Sequence, residues 1–279
     1  MGRLSGRLAG LLVLLLFSAV AIAGDEEKKP RWELGIAAGL FTLPQYPGSD
    51  ERYSLALGLP YLIYRGDIFK ADRKGVRGLL YCGEQLSFDL GFAFGLPVSN
   101  NNRAREGMPD LHLTGQLGPR LNWRFDTPEG IPDIRFHLPV RYARDIKGRS
   151  LGWVTEPSFA IERRHLGSGG RLRLRADLGL LYASRSYNDY YYGVPTAFAT
   201  AGRPAYDARR GLHSFFTSFA MSWQVSRHLN VGGFVRLRTL RPGVVSDSPL
   251  VREDLALSAG MGLAWSFWQS GHLVVVNGR

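Results

Sequence analysis

The sequence is poor in cysteine: among 279 residues, Cys82 is the only one. A single thiol excludes an intramolecular disulfide and a zinc site built from several cysteines. After residue 23 the sequence also lacks an apolar run of the about 20 residues that a membrane-spanning helix needs. A helical inner-membrane protein is therefore excluded.

Common catalytic and nucleotide-binding motifs are absent as well. The sequence has no G-x-S-x-G motif, no phosphate-binding loop and no dinucleotide fingerprint. Its six histidines show no paired metal-ligand spacing such as HxxxH. We therefore expect no catalytic, cofactor-binding or metal-binding residues, and we interpret the chain as a protein that is not an enzyme.

One neighbouring pair, His213 and Ser214, has the residue types of a hydrolase in which a histidine activates a serine. Adjacent side chains on a strand point to opposite faces of the sheet. We therefore expect these two side chains to lie apart, and an outer-membrane lipid hydrolase is only a minor alternative.

The first 23 residues are predicted to be a secretory signal peptide. Arg3 and Arg7 precede the apolar run LLVLLLFSAVAI, and Ala21 and Ala23 supply an A-x-A cleavage pattern. A transmembrane anchor is the alternative, but the apolar run is short for a membrane span. Residues 24–279 are then the exported chain, and we expect them to form one domain.

Acidic residues are outnumbered by basic ones, 24 to 35, and the formal net charge is +11. A basic chain can bind nucleic acid, but an exported chain meets other polyanions. We expect the phosphates of lipopolysaccharide, the headgroups of outer-membrane lipids and acidic cell-wall polymers as charged partners, and no nucleic acid.

The exported chain shows a period of two. In RLRLRADLGLLY, residues 171–182, arginines and an aspartate alternate with leucines, alanine and tyrosine. Such a strand suits lipid on one side and a watery or salt-bridged lumen on the other. Apolar faces of this number and length exceed one small core, which argues against a soluble two-sheet barrel. The pattern predicts an all-β, transmembrane, antiparallel up-and-down β-barrel.

Twelve strands are predicted, an even number that brings both chain ends to the periplasmic side. They lie near 32–42, 53–64, 67–72, 75–82, 85–96, 110–125, 133–143, 151–164, 171–184, 212–225, 228–240 and 253–268. Most long connections then fall on the outer side and most short turns on the inner side.

The predicted inward positions carry more arginines than acids. The arginines are Arg120, Arg124, Arg135, Arg141, Arg164, Arg171, Arg173, Arg175 and Arg236, and the acids are Glu33, Asp89, Glu156, Glu162 and Asp177. Cross-strand pairs of these charges would fill and stiffen a narrow barrel. Unpaired arginines would instead attract anions into a pore. Both interpretations stay open.

The connection 185–211 is the longest predicted outer loop, and long ordered loops often carry function. Its candidate recognition residues are of types that binding sites favour: Tyr190, Tyr191, Tyr192, Arg203, Tyr206 and Arg209. The alternative is a lid that packs over the mouth of the barrel.

Four segments carry a family resemblance: YPGSDERYSLALGLPYLIYRGDIF, GMPDLHLTGQLGPRLNW, YYYGVPTAFATAGRPAYDARRGL and SDSPLV. Together they resemble the MipA/OmpV family of Gram-negative outer-membrane proteins, from about Trp32 to Trp268. The resemblance implies a scaffold that brings a murein transglycosylase and a murein synthase together at the outer membrane. It implies no catalytic residues. A small-solute, anion-preferring porin is the alternative function.

The chain end departs from the family pattern. Family members usually stop at the aromatic residue that closes the last strand, whereas here Phe267 and Trp268 are followed by QSGHLVVVNGR. We expect Leu263, Trp265 and Phe267 to supply the closing strand and residues 269–279 to form a loose periplasmic tail.

Overall fold

The computed structural model describes residues 27–65, 69–72, 75–128, 130–167 and 169–276. The predicted signal peptide lies outside the described residues. Most of the described residues are in β-strands, and the longest helix has 8 residues. Among the described residues, no helix is both long enough and apolar enough to cross a membrane.

Fifteen strands, one α-helix and two 3-10 helices, Arg103–Arg105 and Thr196–Phe198, make up the regular structure of the described ranges. In chain order the strands are β1 Glu27–Pro30, β2 Trp32–Pro44, β3 Arg52–Arg65, β4 Phe69–Asp72, β5 Gly75–Cys82, β6 Leu86–Gly95, β7 Thr114–Phe125, β8 Asp133–Asp145, β9 Ser150–Thr155, β10 Ser158–Leu166, β11 Leu172–Ala183, β12 Gly211–Gln224, β13 Leu229–Thr239, β14 Leu255–Gln269 and β15 Leu273–Val276; the helix is α1 Arg185–Tyr192.

Strands β2 to β14 form one antiparallel sheet that closes on itself. β14 pairs with β2 along its length, and β8 and β11 are joined by β9 and β10, each of which pairs with both. Counted as one interrupted strand, β9 and β10 give a ring of twelve. The predicted all-β antiparallel barrel is confirmed.

The predicted strand 151–164 is interrupted between Thr155 and Ser158. Pro157 lacks an N–H group and cannot donate to a ladder, so the strand breaks there. At this break the carboxylate of Glu156 accepts from Arg236 and Arg238 of β13, three strands further around the ring.

The strands β4 and β5 are short: β5 has the predicted bounds, and β4 is described from Phe69 onward. Among the described residues, β4 meets β3 only at Tyr64 and Arg65, near the inner end of β3, and β5 meets β6 only along Ser87 to Asp89. With 4 and 8 residues, neither strand reaches the about 9–11 residues of a full span.

The outer surface of the barrel is a band of large apolar side chains. On β14, Leu257, Met261, Leu263 and Trp265 are exposed, while Ala256 and Ala264 between them are buried against the lumen. Strands that alternate in this way present apolar groups to lipid, so the exposed band is the surface that faces the membrane.

The hydrophobic core lies at the outer end of the barrel, built largely from loops. The connections 45–51, 96–113, 184–210 and 240–254 pack together with α1 into what we call the outer cap. Its fully buried members include Val98, Tyr192, Leu240, Val245 and Leu250. The cap lies over the end of the barrel where the long connections gather.

The chain end does not form the predicted loose tail over its whole length. β15, Leu273–Val276, pairs antiparallel with β1, Glu27–Pro30, as a two-stranded ribbon at the inner end of the barrel. The antiparallel pairing of β14 with β2 brings the two chain ends side by side, so their backbones can satisfy each other's hydrogen bonds.

A depth test of the membrane band follows from β14. Leu263→Arg places a charge on the lipid face near the middle of the strand, where we expect a loss of about 2–4 kcal/mol of unfolding free energy. Leu255→Arg, on the same face at the outer end, is the matched control and should cost about 0–1 kcal/mol. Denaturant unfolding in lipid vesicles measures both, and equal costs would contradict the assignment of the membrane band.

Candidate functional site

The lumen holds an outer charge cluster centred on Glu156. Its carboxylate accepts from the guanidinium groups of Arg141, at 3.3 Å, Arg238, at 2.9 Å, and Arg236. These arginines come from β8 and β13, so one carboxylate ties together strands that are not neighbours in the ring. Three cations share one anion, and the outer charge cluster therefore keeps a positive charge.

Aromatic and polar side chains hold the arginines of this cluster in place. The guanidinium carbon of Arg236 lies 3.9 Å from the centre of the Phe216 ring, and that of Arg238 lies 5.6 Å away. Arg238 also donates to Ser214 Oγ at 2.9 Å, and Arg141 donates to Gln116 Oε1 at 3.1 Å. A cation over a ring face is stabilised by the quadrupole of the ring, so the guanidinium groups are fixed in direction.

A second group, the inner charge cluster, lies nearer the periplasmic end. Glu162 is almost fully buried and accepts from Arg164 and Arg173. Asp133 lies 3.4 Å from Arg164 and 3.7 Å from Arg135. Three arginines and two acids thus interleave across β8, β10 and β11.

Two further pairs complete the charged wall. Arg120 holds Asp89 with two parallel bonds of 2.8 Å from β7 to β6, the geometry that makes arginine–carboxylate pairs strong. Arg175 donates to Asp177, two residues along its own strand. The structure therefore brings most of the predicted inward charges into pairs.

Two predicted arginines lie elsewhere. Arg171 is exposed at the inner rim and donates to the carbonyl of Val225 at 3.3 Å. Arg124 is half-buried near the inner end of β7. The prediction also omitted Arg238, although its spacing of two from Arg236 puts both side chains on the same face of β13.

The tyrosines of α1 are buried in the outer cap, where they bond to cap loops and to the outer ends of barrel strands. Tyr187 OH accepts from Gln116, Tyr191 OH bonds to Thr114 Oγ1 at 3.1 Å, and Tyr192 OH donates to Pro47 O at 2.8 Å. Tyr190 OH accepts from the backbone N–H of His112. Burial raises the pKa of Tyr192 well above its usual value, because a charged phenolate would lack water.

The other predicted recognition residues divide between the interior and the surface of the cap. Arg203 is buried and donates to the carbonyls of Ala104, Glu106 and Phe198. Tyr206 is half-buried and donates to Val244 O, whereas Arg209 is exposed. Arg105, which was not predicted, is buried and donates to Tyr191 O. Most of these side chains hold the cap together and do not face the exterior.

His213 and Ser214 were expected to lie apart, but His213 Nδ1 is 2.8 Å from Ser214 Oγ. The cause is a β-bulge: Leu181 pairs with Ser214 and Tyr182 with Leu212, which leaves His213 without a partner on β11. A bulge re-aims its side chain. His213 Nε2 reaches Tyr192 OH at 2.9 Å, and both His213 and Ser214 are buried, so the pair anchors the cap to the barrel.

Among the described residues, no group of three or more histidine, cysteine, aspartate or glutamate side chains could hold a metal ion. The candidate site is therefore the charged lumen beneath the tyrosines of the cap.

A family model described as "MltA-interacting protein MipA" matches residues 36–267. The chain belongs to the MipA family. The resemblance inferred from the loop segments is thereby confirmed, and so is the outer-membrane location. An Escherichia coli (strain K12) protein named "Putative outer membrane protein YiaT" is 24% identical over 241 residues, which cover 84% of this chain and 91% of that protein.

Solved structures similar to this MipA-family protein include a "Bacterial polysaccharide outer membrane secretin", with a TM-score of 0.41, 9% identity and coverage of 86% of this chain and 99% of that one. A "Pseudomonas aeruginosa FadL homologue" has a TM-score of 0.30, 9% identity and coverage of 86% and 89%.

The outer charge cluster generates a stability prediction. Glu156→Gln leaves three partly buried guanidinium groups without their shared carboxylate, and we expect a loss of about 1.5–3 kcal/mol of unfolding free energy. The matched control is Asp254→Asn, which breaks the exposed pair with Arg241 and should cost at most about 1 kcal/mol. Denaturant titration of the refolded barrels compares them. A Glu156→Gln barrel as stable as the control would show that the cluster is not a structural tie.

Proposed function

We propose that this protein is a non-enzymatic outer-membrane scaffold that holds murein-remodelling enzymes, a transglycosylase and a synthase, at the inner face of the outer membrane. The observation that carries the proposal is the match to a family described by its interaction with MltA over nearly all of the described barrel. A protein that works by binding needs a rigid body and an accessible docking element, and this molecule offers both.

Rigidity is supported by the lumen. Glu156, Glu162 and Asp89 each tie two or more strands through arginines, and the outer cap packs a hydrophobic core over the outer mouth. A barrel filled with paired charges and covered by a cap is better suited to holding its shape than to passing solutes.

The docking element we propose is the ribbon of β1 and β15. It lies outside the barrel at the periplasmic end, where a murein enzyme would meet the protein. A two-stranded ribbon has two outer backbone edges, and an extended segment of a partner can add to such an edge by backbone hydrogen bonds.

A crosslinked pull-down tests the scaffold. The intact protein should capture a murein transglycosylase, and a variant lacking residues 273–279 should lose that capture while still assembling in the outer membrane. Arg209→Ala, on the exposed outer loop, is the control and should capture normally. Failure of the intact protein to capture any murein enzyme would overturn the scaffold role, and capture by the truncated variant would overturn the ribbon as docking element.

The alternative, an anion-preferring porin, is favoured by the positive charge of the outer charge cluster. Conductance in planar bilayers distinguishes the scaffold from the porin. The conductance of a known open porin, measured under the same conditions, is the reference value. Because the arginines are paired and the outer mouth is capped, we expect the intact barrel to conduct poorly. A large, anion-selective conductance would replace the scaffold by the porin.

A further inference from the structure

The barrel wall is interrupted on one side of its outer half. In the part of the chain that the structure describes, residues 52–63 of β3 pair only with β2, and residues 90–95 of β6 pair only with β7. The short strands β4 and β5 fill the space between β3 and β6 only near the inner end. We call the remaining opening between β3 and β6 the side gap.

The outer cap bounds the side gap from above. Tyr53 on β3 donates to the carbonyl of Pro97 beyond β6, and Arg103 contacts Asp50 and Glu51. The side gap is therefore a window in the wall, with strands on both sides, the β4–β5 hairpin below and the cap above. A window in this position faces the outer half of the membrane.

The sequence of β3 fits an edge strand. Pro60 offers no N–H group to a ladder, and proline inside strands is found mainly at sheet edges. The lipid-facing residues Ser54, Ala56, Gly58 and Pro60 are exposed and small compared with the leucines and aromatics on the other strands. A Cβ built on Gly58 meets nothing within 4 Å. The membrane side of the gap is thus unobstructed at this strand.

β3 also reverses the usual polarity of the barrel. Its lumen-facing residues are Leu55, Leu57, Leu59, Tyr61 and Ile63, as their pairing with the buried residues of β2 shows. On β7, β8, β10, β11 and β13, by contrast, the lumen face carries arginines or acids. These five side chains, with Phe41 of β2 and Phe234 of β13, form what we call the apolar wall. It begins at the side gap and continues around the lumen.

Glycines let the rings of the apolar wall lie flat. A Cβ on Gly35 would come within 2.5 Å of the Tyr61 ring, and one on Gly260 would come within 2.5 Å of Phe41 and 2.8 Å of Phe234. The rings therefore cover strand backbone instead of projecting into the lumen. A surface of flat rings and leucine side chains suits contact with an apolar chain.

The outer charge cluster lies at the outer end of the apolar wall. Leu55, Phe41, Gly260 and Phe234 are direct ladder partners across β3, β2, β14 and β13. Arg236 is two residues further outward on β13 and belongs to the cluster in which three arginines share Glu156. An apolar groove thus ends at a site with surplus positive charge.

We propose that the barrel binds a single-chain amphiphile with an anionic head, which enters from the membrane through the side gap. The acyl chain lies on the apolar wall, and the carboxylate or phosphate head lies at Arg236 and its neighbours in the outer charge cluster. Each half of the ligand matches one half of the site. The acyl chain packs against leucine and aromatic side chains, and the anionic head accepts hydrogen bonds from guanidinium groups. The proposal is independent of the scaffold role.

Binding of defined probes to the intact protein in a neutral detergent tests the ligand class. Palmitate and hexadecyl phosphate should both bind, and titration calorimetry measures their affinities. Octanoate has the same head but a shorter chain, and monopalmitoylglycerol has the same chain but a neutral head. Each should bind at least about ten-fold more weakly than palmitate, a difference in binding free energy of about 1.4 kcal/mol. Equal binding of monopalmitoylglycerol would mean a neutral lipid site, and equal binding of inorganic phosphate would mean a simple anion site; either result would overturn the proposal.

Two charge variants locate the head. Arg236→Gln removes one cation but leaves Glu156 paired with Arg141 and Arg238, and it should weaken palmitate binding about ten-fold. Arg164→Gln in the inner charge cluster leaves Glu162 paired with Arg173 and should change nothing. A shift of apparent mass on boiling verifies that each variant is folded. Unchanged binding by folded Arg236→Gln would refute the placement of the head.

Two size variants test the route. Ala93→Trp puts a bulky ring on the lumen side of β6 at the side gap and should slow association of palmitate. Phe219→Trp puts the same ring on the lipid face of β12, away from the side gap, and is the control. Association as fast in Ala93→Trp as in the intact protein would exclude entry through the side gap.

Discussion

Backbone hydrogen bonding in a medium without water is the constraint on which this structure depends. Each N–H and C=O group that crosses the hydrocarbon layer needs a partner, and a closed ring of strands supplies one to nearly all of them. The pairing of β14 with β2 and of β10 with β8 and β11 closes the ring. The same constraint applies to the unpaired strand edges at the side gap. Among the described residues, 52–63 of β3 lack a strand partner on one side, and such an edge is tolerated at membrane depth only where it borders a protein-lined or water-filled cavity.

Charge in the lumen follows from the closed ring. The arginines on β8, β10, β11 and β13 are shielded from bulk water. Leaving one of them unpaired would lower the stability of the barrel, since a buried unpaired charge costs several kcal/mol. Glu162 meets this need within neighbouring strands, whereas Glu156 does so across the lumen. The outer charge cluster is therefore both a structural tie and the place where positive charge remains in surplus.

Period-two alternation predicted most of the strands and their inward charges because one face meets lipid and the other does not. Local irregularities were beyond that pattern. The bulge at His213 reverses the expected separation from Ser214, and a bulge depends on the partner strand. The interruption at Pro157 could have been predicted from the sequence, because proline has no N–H group to donate to the hydrogen-bond ladder of a sheet. The inward leucines of β3 alternate as well as any others, and only the register with β2 reveals which way they face.

The packing of the outer cap could not be predicted from alternation, because its contacts join loops far apart in the sequence. Tyr46 donates to Leu250 O, and Arg105 reaches Tyr191 O. Such contacts carry no periodic signal. The sequence singled out the tyrosines of α1 as recognition candidates. In the structure these tyrosines are buried and form hydrogen bonds within the cap and to the barrel. Arg209 is exposed on the same loop.

The ribbon of β1 and β15 joins the two chain ends outside the membrane. Because those ends run side by side, the barrel is suited to circular permutation. A short linker would join the present ends, and new ends in an outer loop would leave every strand with the same neighbours. The ribbon also fixes the register of the first and last barrel strands from outside the lipid, where strands pair in water. The seam between β14 and β2 thus continues outside the membrane as a short paired segment.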